Sequence, residues 1–161
     1  MKSIAYVSAL LFVLTVLLGC GGGGGGSKAT STKGALAAGD SVANNRYYDG
    51  YLLRATESGP MSIGLESTAF DPYLGLGDEF GNLIDEDDDS GTGLNALITY
   101  NTGYDEEYIV VVTSALSAQT GSYRFAWSDN LIKVEQISAP TREEAIEMLR
   151  NLKSKDRTAN P

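Results

Sequence analysis

Histidine is absent from this 161-residue chain. Its absence removes Ser-His-Asp and Cys-His catalysis, His-ligated zinc and the usual proton shuttle at neutral pH. There is one cysteine, Cys20, so no disulfide closes within the chain. Basic residues are scarce: 12 Lys and Arg stand against 21 Asp and Glu, for a formal net charge of −9 and a pI near 4.4. That balance repels nucleic-acid phosphates and anionic lipid surfaces, which argues against a nucleic-acid partner. The length allows one domain with short appendages.

What is present begins with "MKSIAYVSALLFVLTVLLGC". One positive charge, Lys2, precedes an uncharged, mostly apolar run from Ile4 to Leu18. The run has the length of a signal-peptide core and falls short of the ~20 residues that a membrane-spanning helix needs. It ends Leu17-Leu18-Gly19-Cys20, which resembles the bacterial lipobox. The resemblance implies a signal peptide over 1–19, cleavage before Cys20, and lipid attachment at Cys20 through a diacylglyceryl thioether, usually with a further acyl chain such as palmitate on the new amine. Each buried CH₂ contributes about 0.8 kcal/mol, so two or three chains hold a protein on a bilayer almost permanently. Gly21, not aspartate, follows the cysteine. In an organism with an outer membrane, that resemblance implies delivery to the outer membrane.

The next stretch, "GGGGGGSKATSTKGALAAG", is not a phosphate-binding loop, because Ser27 separates Gly26 from Lys28 and the pattern G-x-x-x-x-G-K-[ST] fails. Its composition predicts a flexible tether over 20–39. Such a segment spans about 22–26 Å root-mean-square, enough to lift a domain clear of the headgroups.

From Asp40 onward, short alternating runs are separated by turn residues. Tyr51 and Leu53 share one face of "DGYLLRA", and Met61, Ile63 and Leu65 share one face of "MSIGLES". Leu94, Ala96, Ile98 and Tyr100 do so in "LNALITY", as do Tyr123, Phe125 and Trp127 in "YRFAW". A period of two marks strands with one buried face. Tyr108–Thr113, "YIVVVT", is apolar on both faces and predicts a central, covered strand. Turns at Ser58-Gly59-Pro60, Phe80-Gly81-Asn82, Asn101-Thr102-Gly103 and Thr120-Gly121 complete the pattern. The fold class expected over 40–130 is all-β: an antiparallel β-sandwich of about seven to eight strands.

Residues 131–161 read as a C-terminal extension carrying one α-helix. Pro140 and Thr141 open it, and Glu144 completes a capping box with Thr141. Ala145, Met148, Leu149 and Leu152 fall on one face. Glu143, Glu144 and Glu147 sit towards its positive end, and Arg150, Lys153 and Lys155 towards its negative end. Such a helix either docks on the sandwich or engages a partner.

The central segment resembles the bacterial pre-peptidase C-terminal domain. The residues that carry the likeness are "DGYLLRATESGPMSIGLES", "FDPYLGLGDEFGNLIDEDDDSGTGLNALITY" and "YIVVVTSALSAQTGSYRFAW", roughly Gly39 to Trp127. The most specific are Phe70-Asp71-Pro72-Tyr73-Leu74, the Gly81-Asn82 turn, Asp87-Asp88, Asn95 and the closing Gly121-Ser122-Tyr123. The resemblance implies a jelly-roll-like sandwich. Members commonly follow the catalytic domain of secreted proteases, and similar domains in collagenases bind collagen and calcium. The stretch before this sandwich is too short for a catalytic domain, so a fold and a tendency to bind are what carry over.

The run Asp85-Glu86-Asp87-Asp88-Asp89 is the densest feature, and no Lys or Arg occurs from Asp71 to Glu107. Such clustering is costly unless solvent, salt or a cation relieves it. The EF-hand template fits only in part, since Gly91 comes one residue late and Ala96 stands where a bidentate Glu is required. Two readings remain: a looser calcium site built from Asp71, Asp87, Asp88, Asp89 and Asn95, or a solvated loop whose Asp and Asn side chains cap their own turns. Glycoside hydrolysis needs two carboxyls in different environments, and adjacent acids on one loop share a single environment. No catalytic residue is therefore expected, and no cofactor is required; calcium is the one candidate. Tyr51, Tyr100 and Tyr123 are expected inside; Tyr47, Tyr48 and Tyr104 are undecided between core and a platform for a protein or glycan ligand. The expectation is a non-enzymatic lipoprotein of the bacterial cell envelope presenting a binding or accessory module. The alternative is a structural or assembly subunit that docks through its C-terminal helix.

Overall fold

In the computed structural model, the structure describes residues 29–43 and 45–136. The expected signal segment, Cys20 and the expected C-terminal helix lie outside the described residues. Ten strands occur among the described residues: β1 (Thr30–Leu36), β2 (Ser41–Ala43), β3 (Arg46–Ala55), β4 (Gly59–Glu66), β5 (Pro72–Asp78), β6 (Leu83–Asp87), β7 (Ala96–Thr102), β8 (Glu107–Ser114), β9 (Gly121–Trp127) and β10 (Leu131–Gln136). They form two antiparallel sheets. One has four strands in the order β1-β9-β4-β7; the other runs β10-β3-β8-β5-β6, with β2 paired to β3. Apart from the β2–β3 and β5–β6 hairpins, each connection crosses from one sheet to the other. The molecule is thus the expected antiparallel β-sandwich, with more strands than the sequence pattern suggested.

The alternation explains the core. Met61, Ile63 and Leu65 point inward from β4, and Tyr123, Phe125 and Trp127 from β9. They meet Tyr51, Leu53, Leu74, Leu76, Val110 and Val112 of the larger sheet. Tyr51 stacks on Phe125 at 4.8 Å, and Phe125 lies 5.3 Å from Trp127. Truncating such a ring costs about 3–5 kcal/mol through lost transfer energy and the cavity left behind. β8 lies between β3 and β5 and is buried on both faces from Tyr108 to Ser114, as its continuous apolar run required.

Three readings are corrected. Residues 30–36, placed in the tether, form β1 and pair with β9 in full register, Thr30 opposite Trp127 and Leu36 opposite Gly121. Residues 131–136, placed in the C-terminal extension, form β10 on β3. Leu94 and Tyr100, expected inside, are 62% and 37% exposed. Leu94 lies before β7 begins at Ala96, while Tyr100 sits on an edge strand, where its ring packs edge-on against Tyr108 at 6.0 Å instead of entering the core.

Inside the sandwich a polar chain joins the sheets. The Tyr51 and Tyr123 hydroxyls lie 2.5 Å apart, and the Tyr123 hydroxyl donates to Asp49 Oδ2 at 2.6 Å. Burial, then the hydrogen bonds to Asp49 and Tyr51, push the Tyr123 phenol far above its usual range. Gly34 faces Tyr123 across β1 and β9, and a Cβ there would collide with the Tyr123 ring. The phenol therefore reaches Asp49 only because residue 34 has no side chain.

Candidate functional site

The acidic run lies at one end of the sandwich, and its carboxylates are engaged by the fold. Asp87 accepts hydrogen bonds from Ser90 N–H at 3.0 Å, Ser90 Oγ–H at 2.5 Å and Leu97 N–H at 2.9 Å. The last bond ties β6 in one sheet to β7, the edge strand of the other. Asp85 Oδ1 accepts from Glu86 N–H, and Glu86 Oε2 accepts from the Tyr73 hydroxyl at 2.8 Å. Burial first, then Glu86, raise the Tyr73 phenol well above its ordinary value. Asp88 is buried and Asp89 is exposed. Asn95 Oδ1 accepts from Ser67 N–H at 3.3 Å, and its carbonyl accepts from Gly91 N–H. Asp71 sits just before β5, where its carbonyl accepts from Ala115 N–H. Among the described residues no three His, Cys, Asp or Glu side chains are grouped as a metal ion would need. Asp85, Asp87 and Asn95 accept hydrogen bonds from nearby backbone and hydroxyl donors, as in a loop that caps its own turns.

The opposite end is built differently. There β5 ends at Asp78, opposite Tyr108 on β8, so the β5–β6 and β7–β8 turns leave from adjacent strands. In the first turn, Asp78 Oδ1 accepts from Phe80 N–H and Asn82 N–H, both at 2.9 Å, and Oδ2 accepts from the Asn82 amide at 2.8 Å. Gly81 completes it at φ 83°, in the left-handed region that glycine adopts without strain. Burial alone would raise the Asp78 carboxyl, but the hydrogen bonds from Asn82, Phe80 and Gly81 outweigh it and hold the pKa low. In the second turn, Glu106 Oε2 accepts from the Tyr108 hydroxyl and from Gly103 N–H at 2.8 Å, and these two bonds lower its pKa in that order. Asp105 supplies the left-handed residue at φ 62°.

With Asp78 and Glu106 holding the turns, the remaining side chains face outward. Phe80 is 77% exposed and Tyr104 73%. Each stands beside an exposed acid, Glu79 or Asp105. Arg54, the basic residue beside them, donates to Glu107 Oε1 at 2.5 and 2.9 Å and lies 3.9 Å from Asp105. Next to the turns, Pro60, Thr99, Tyr100 and Asn101 line a shallow open recess. Two aromatic tips flanked by carboxylates form a surface suited to cationic groups, through charge and through the ring faces. The sequence reading left Tyr104 undecided and treated Phe80 only as turn punctuation; Tyr48 is buried and Tyr47 half-buried. An aromatic at the centre of a turn motif, as in "DEFGN", is the signal that would have found Phe80, because turn tips cannot be packed.

Among the described residues, the groups that are clearly displaced in pKa move away from neutrality. Asp78 and Glu106 go down, while Tyr51, Tyr73, Tyr108, Tyr123 and Arg54 go up.

No protein-family model matches the chain, and no curated protein matches it. Among solved structures it is similar to the pre-peptidase C-terminal domain of a collagenase from Bacillus anthracis, with 16% identity over 61% of this chain and 87% of that one and a TM-score of 0.47. It is similar to a periplasmic inhibitor of g-type lysozyme from Aeromonas hydrophila, with 16% identity, 64% and 87% coverage and a TM-score of 0.44. It is also similar to a mitogen from Yersinia pseudotuberculosis, with 14% identity, 69% and 99% coverage and a TM-score of 0.46. All three TM-scores lie below 0.5, so the likenesses carry no residue-level correspondence.

Proposed function

We propose that the chain is a non-enzymatic lipoprotein of the bacterial envelope, moored through acylated Cys20, that presents a pre-peptidase-type β-sandwich as a binding module. The surface that binds is the end bearing Phe80 and Tyr104, and its partner is a protein surface carrying lysine or arginine. The observation that carries the reading is the pair of self-supporting turns. Asp78 and Glu106 are committed to backbone and hydroxyl donors, and this leaves the aromatic tips displayed on rigid ground. Preorganised aromatic side chains bind at low entropic cost.

Two experiments test the halves separately. Cells producing the full chain are fed a clickable fatty acid. Label should enter the wild type and be lost in Cys20→Ala; an unlabelled wild type ends the mooring. The full chain with Cys20→Ser is then titrated with a lysine-rich peptide and followed by amide NMR. Shifts should centre on residues 78–82 and 103–107; shifts centred on 85–89 contradict the assignment.

A further inference from the structure

Among the described residues, the smaller sheet ends in β1 and β7, and the larger in β6 on one side and β2 and β10 on the other. Most of these edges carry the features that keep an edge strand from pairing further. β6 holds Asp85, Glu86 and Asp87 within five residues, and β10 has a bulge between Lys133 and Glu135. β1 carries Lys33, and β2 is only three residues long. β7 has none of these protections. Its seven residues, "ALITYNT", include no charge and no proline, and they pair with β4 without a register shift. Leu97, Thr99, Tyr100 and Asn101 are exposed.

The hydrogen bonds fix which way the backbone of β7 faces. Ser62, opposite Thr99, receives the Ser128 N–H at 2.9 Å and gives its own N–H to Ser128 Oγ at 3.1 Å, towards β9. Thr99, and Asn101 two residues on, therefore turn their N–H and C=O groups away from β4, along the open edge. Leu97 and Gly103 continue the alternation, and a carboxylate caps the N–H of each: Asp87 Oδ2 at 2.9 Å and Glu106 Oε2 at 2.8 Å. Between these caps, the Thr99 and Asn101 backbone groups have no partner among the described residues. The free edge is thus two rungs long, with an acid at either end.

We infer that this edge pairs with an extended segment of the partner protein, which adds a strand antiparallel to β7. The segment is uncharged where it faces Thr99 and Asn101 and carries lysine or arginine at the end nearest Asp105 and Glu106. The inference rests on the reading that this end of the sandwich takes a basic protein partner, and adds how that partner's backbone is held. Asp87 sets the limit of pairing, because its carboxylate already occupies the Leu97 N–H. The recess between Pro60, Thr99, Tyr100 and Asn101 receives a side chain of the added strand. Main-chain bonds supply affinity in such pairing, and the basic end supplies direction. Charge also selects against a second copy. Antiparallel pairing of two β7 strands would bring Asp87 of each copy towards Glu106 of the other, between chains of net charge −9.

The test follows amide hydrogen exchange in the full chain with Cys20→Ser, alone and with the peptide Lys-Lys-Val-Thr-Val-Thr. The control peptide, Lys-Lys-Gly-Ser-Gly-Ser, has the same charge and little tendency to form a strand. The Thr99 and Asn101 amides should exchange readily in the free chain and about tenfold more slowly with the first peptide. The control should leave them unchanged. Thr99→Pro removes one edge donor at a position where an edge strand accepts proline, and it should weaken the first peptide about tenfold. If that variant loses its β-sheet circular dichroism, exchange in the parent chain decides alone. Amides 99 and 101 left unprotected by the first peptide overturn the inference; if both peptides still shift residues 78–82 and 103–107, the reading of that end survives. Protection at 99 and 101 without those shifts upholds the edge pairing and removes the reading of the tips. Amides already protected in the free monomer overturn the inference, as do dimers in sedimentation that Thr99→Pro abolishes.

Discussion

The two ends of the sandwich use acidic residues for opposite purposes. At the end with Asp85–Asp89, carboxylates are drawn into the fold: Asp87 alone receives three hydrogen bonds and ties the edge of one sheet to the other. At the end with Phe80 and Tyr104, one acid per turn is committed and its neighbour is displayed. Density of charge along a sequence therefore says little about function. What matters is whether backbone donors stand where the carboxylates point, and which side chains the turns then leave uncovered.

The sharpest break of this comparison is Phe80→Ala with Tyr104→Ala. Exposed aromatic anchors contribute about 2 kcal/mol or more to binding, so affinity for the lysine-rich peptide should fall about thirtyfold in calorimetry. Both rings are well exposed, so stability should change by less than about 0.5 kcal/mol. Asp87→Ala should show the converse, losing about 1 kcal/mol because the Leu97 and Ser90 donors lose their acceptor. Its melting temperature should fall by about 4–8 °C, with peptide binding unchanged. If Asp87→Ala weakens binding as much as the double variant does, the two ends are not distinct.

Acid should separate the ends further. Asp78 and Glu106 have folded-state pKa values below their unfolded ones. Their contribution is complete above the unfolded values, near pH 4, and is lost as pH falls through the folded values. The amide resonances of Phe80 and Gly103 should therefore hold steady at pH 5 and above and move below about pH 4. The smallest effect is expected from calcium: millimolar calcium should shift melting by less than about one degree, because the Asp87 oxygens are already taken by the Ser90 and Leu97 donors.

Much of the fold was legible in the sequence. β4, β8 and β9 show their burial through alternation or continuous apolarity, and the inward residues read from them are in the core. β1 was hidden for a physical reason. Its inward positions include Thr32 and Gly34, and Gly34 must lack a side chain for the Tyr123 ring to pass. A strand whose partner supplies the bulk carries no hydrophobic period of its own. The buried Asp49 was legible in principle, lying two residues before Tyr51 on the same face, but an aspartate before glycine reads first as a turn. At the candidate site, the acidic run drew attention because charge is conspicuous in a sequence. Phe80 escaped notice because exposure is a property of the folded turn.

The most direct test of the division between the ends is site-specific photo-crosslinking in cells producing the full chain. A photoreactive residue is placed in turn at positions 80, 104, 89 and 118. Positions 80 and 104 should give adducts to the same partner protein, reduced at high salt, while 89 and 118 give none. Adducts arising from 89 or 118 and absent at 80 and 104 would contradict the account.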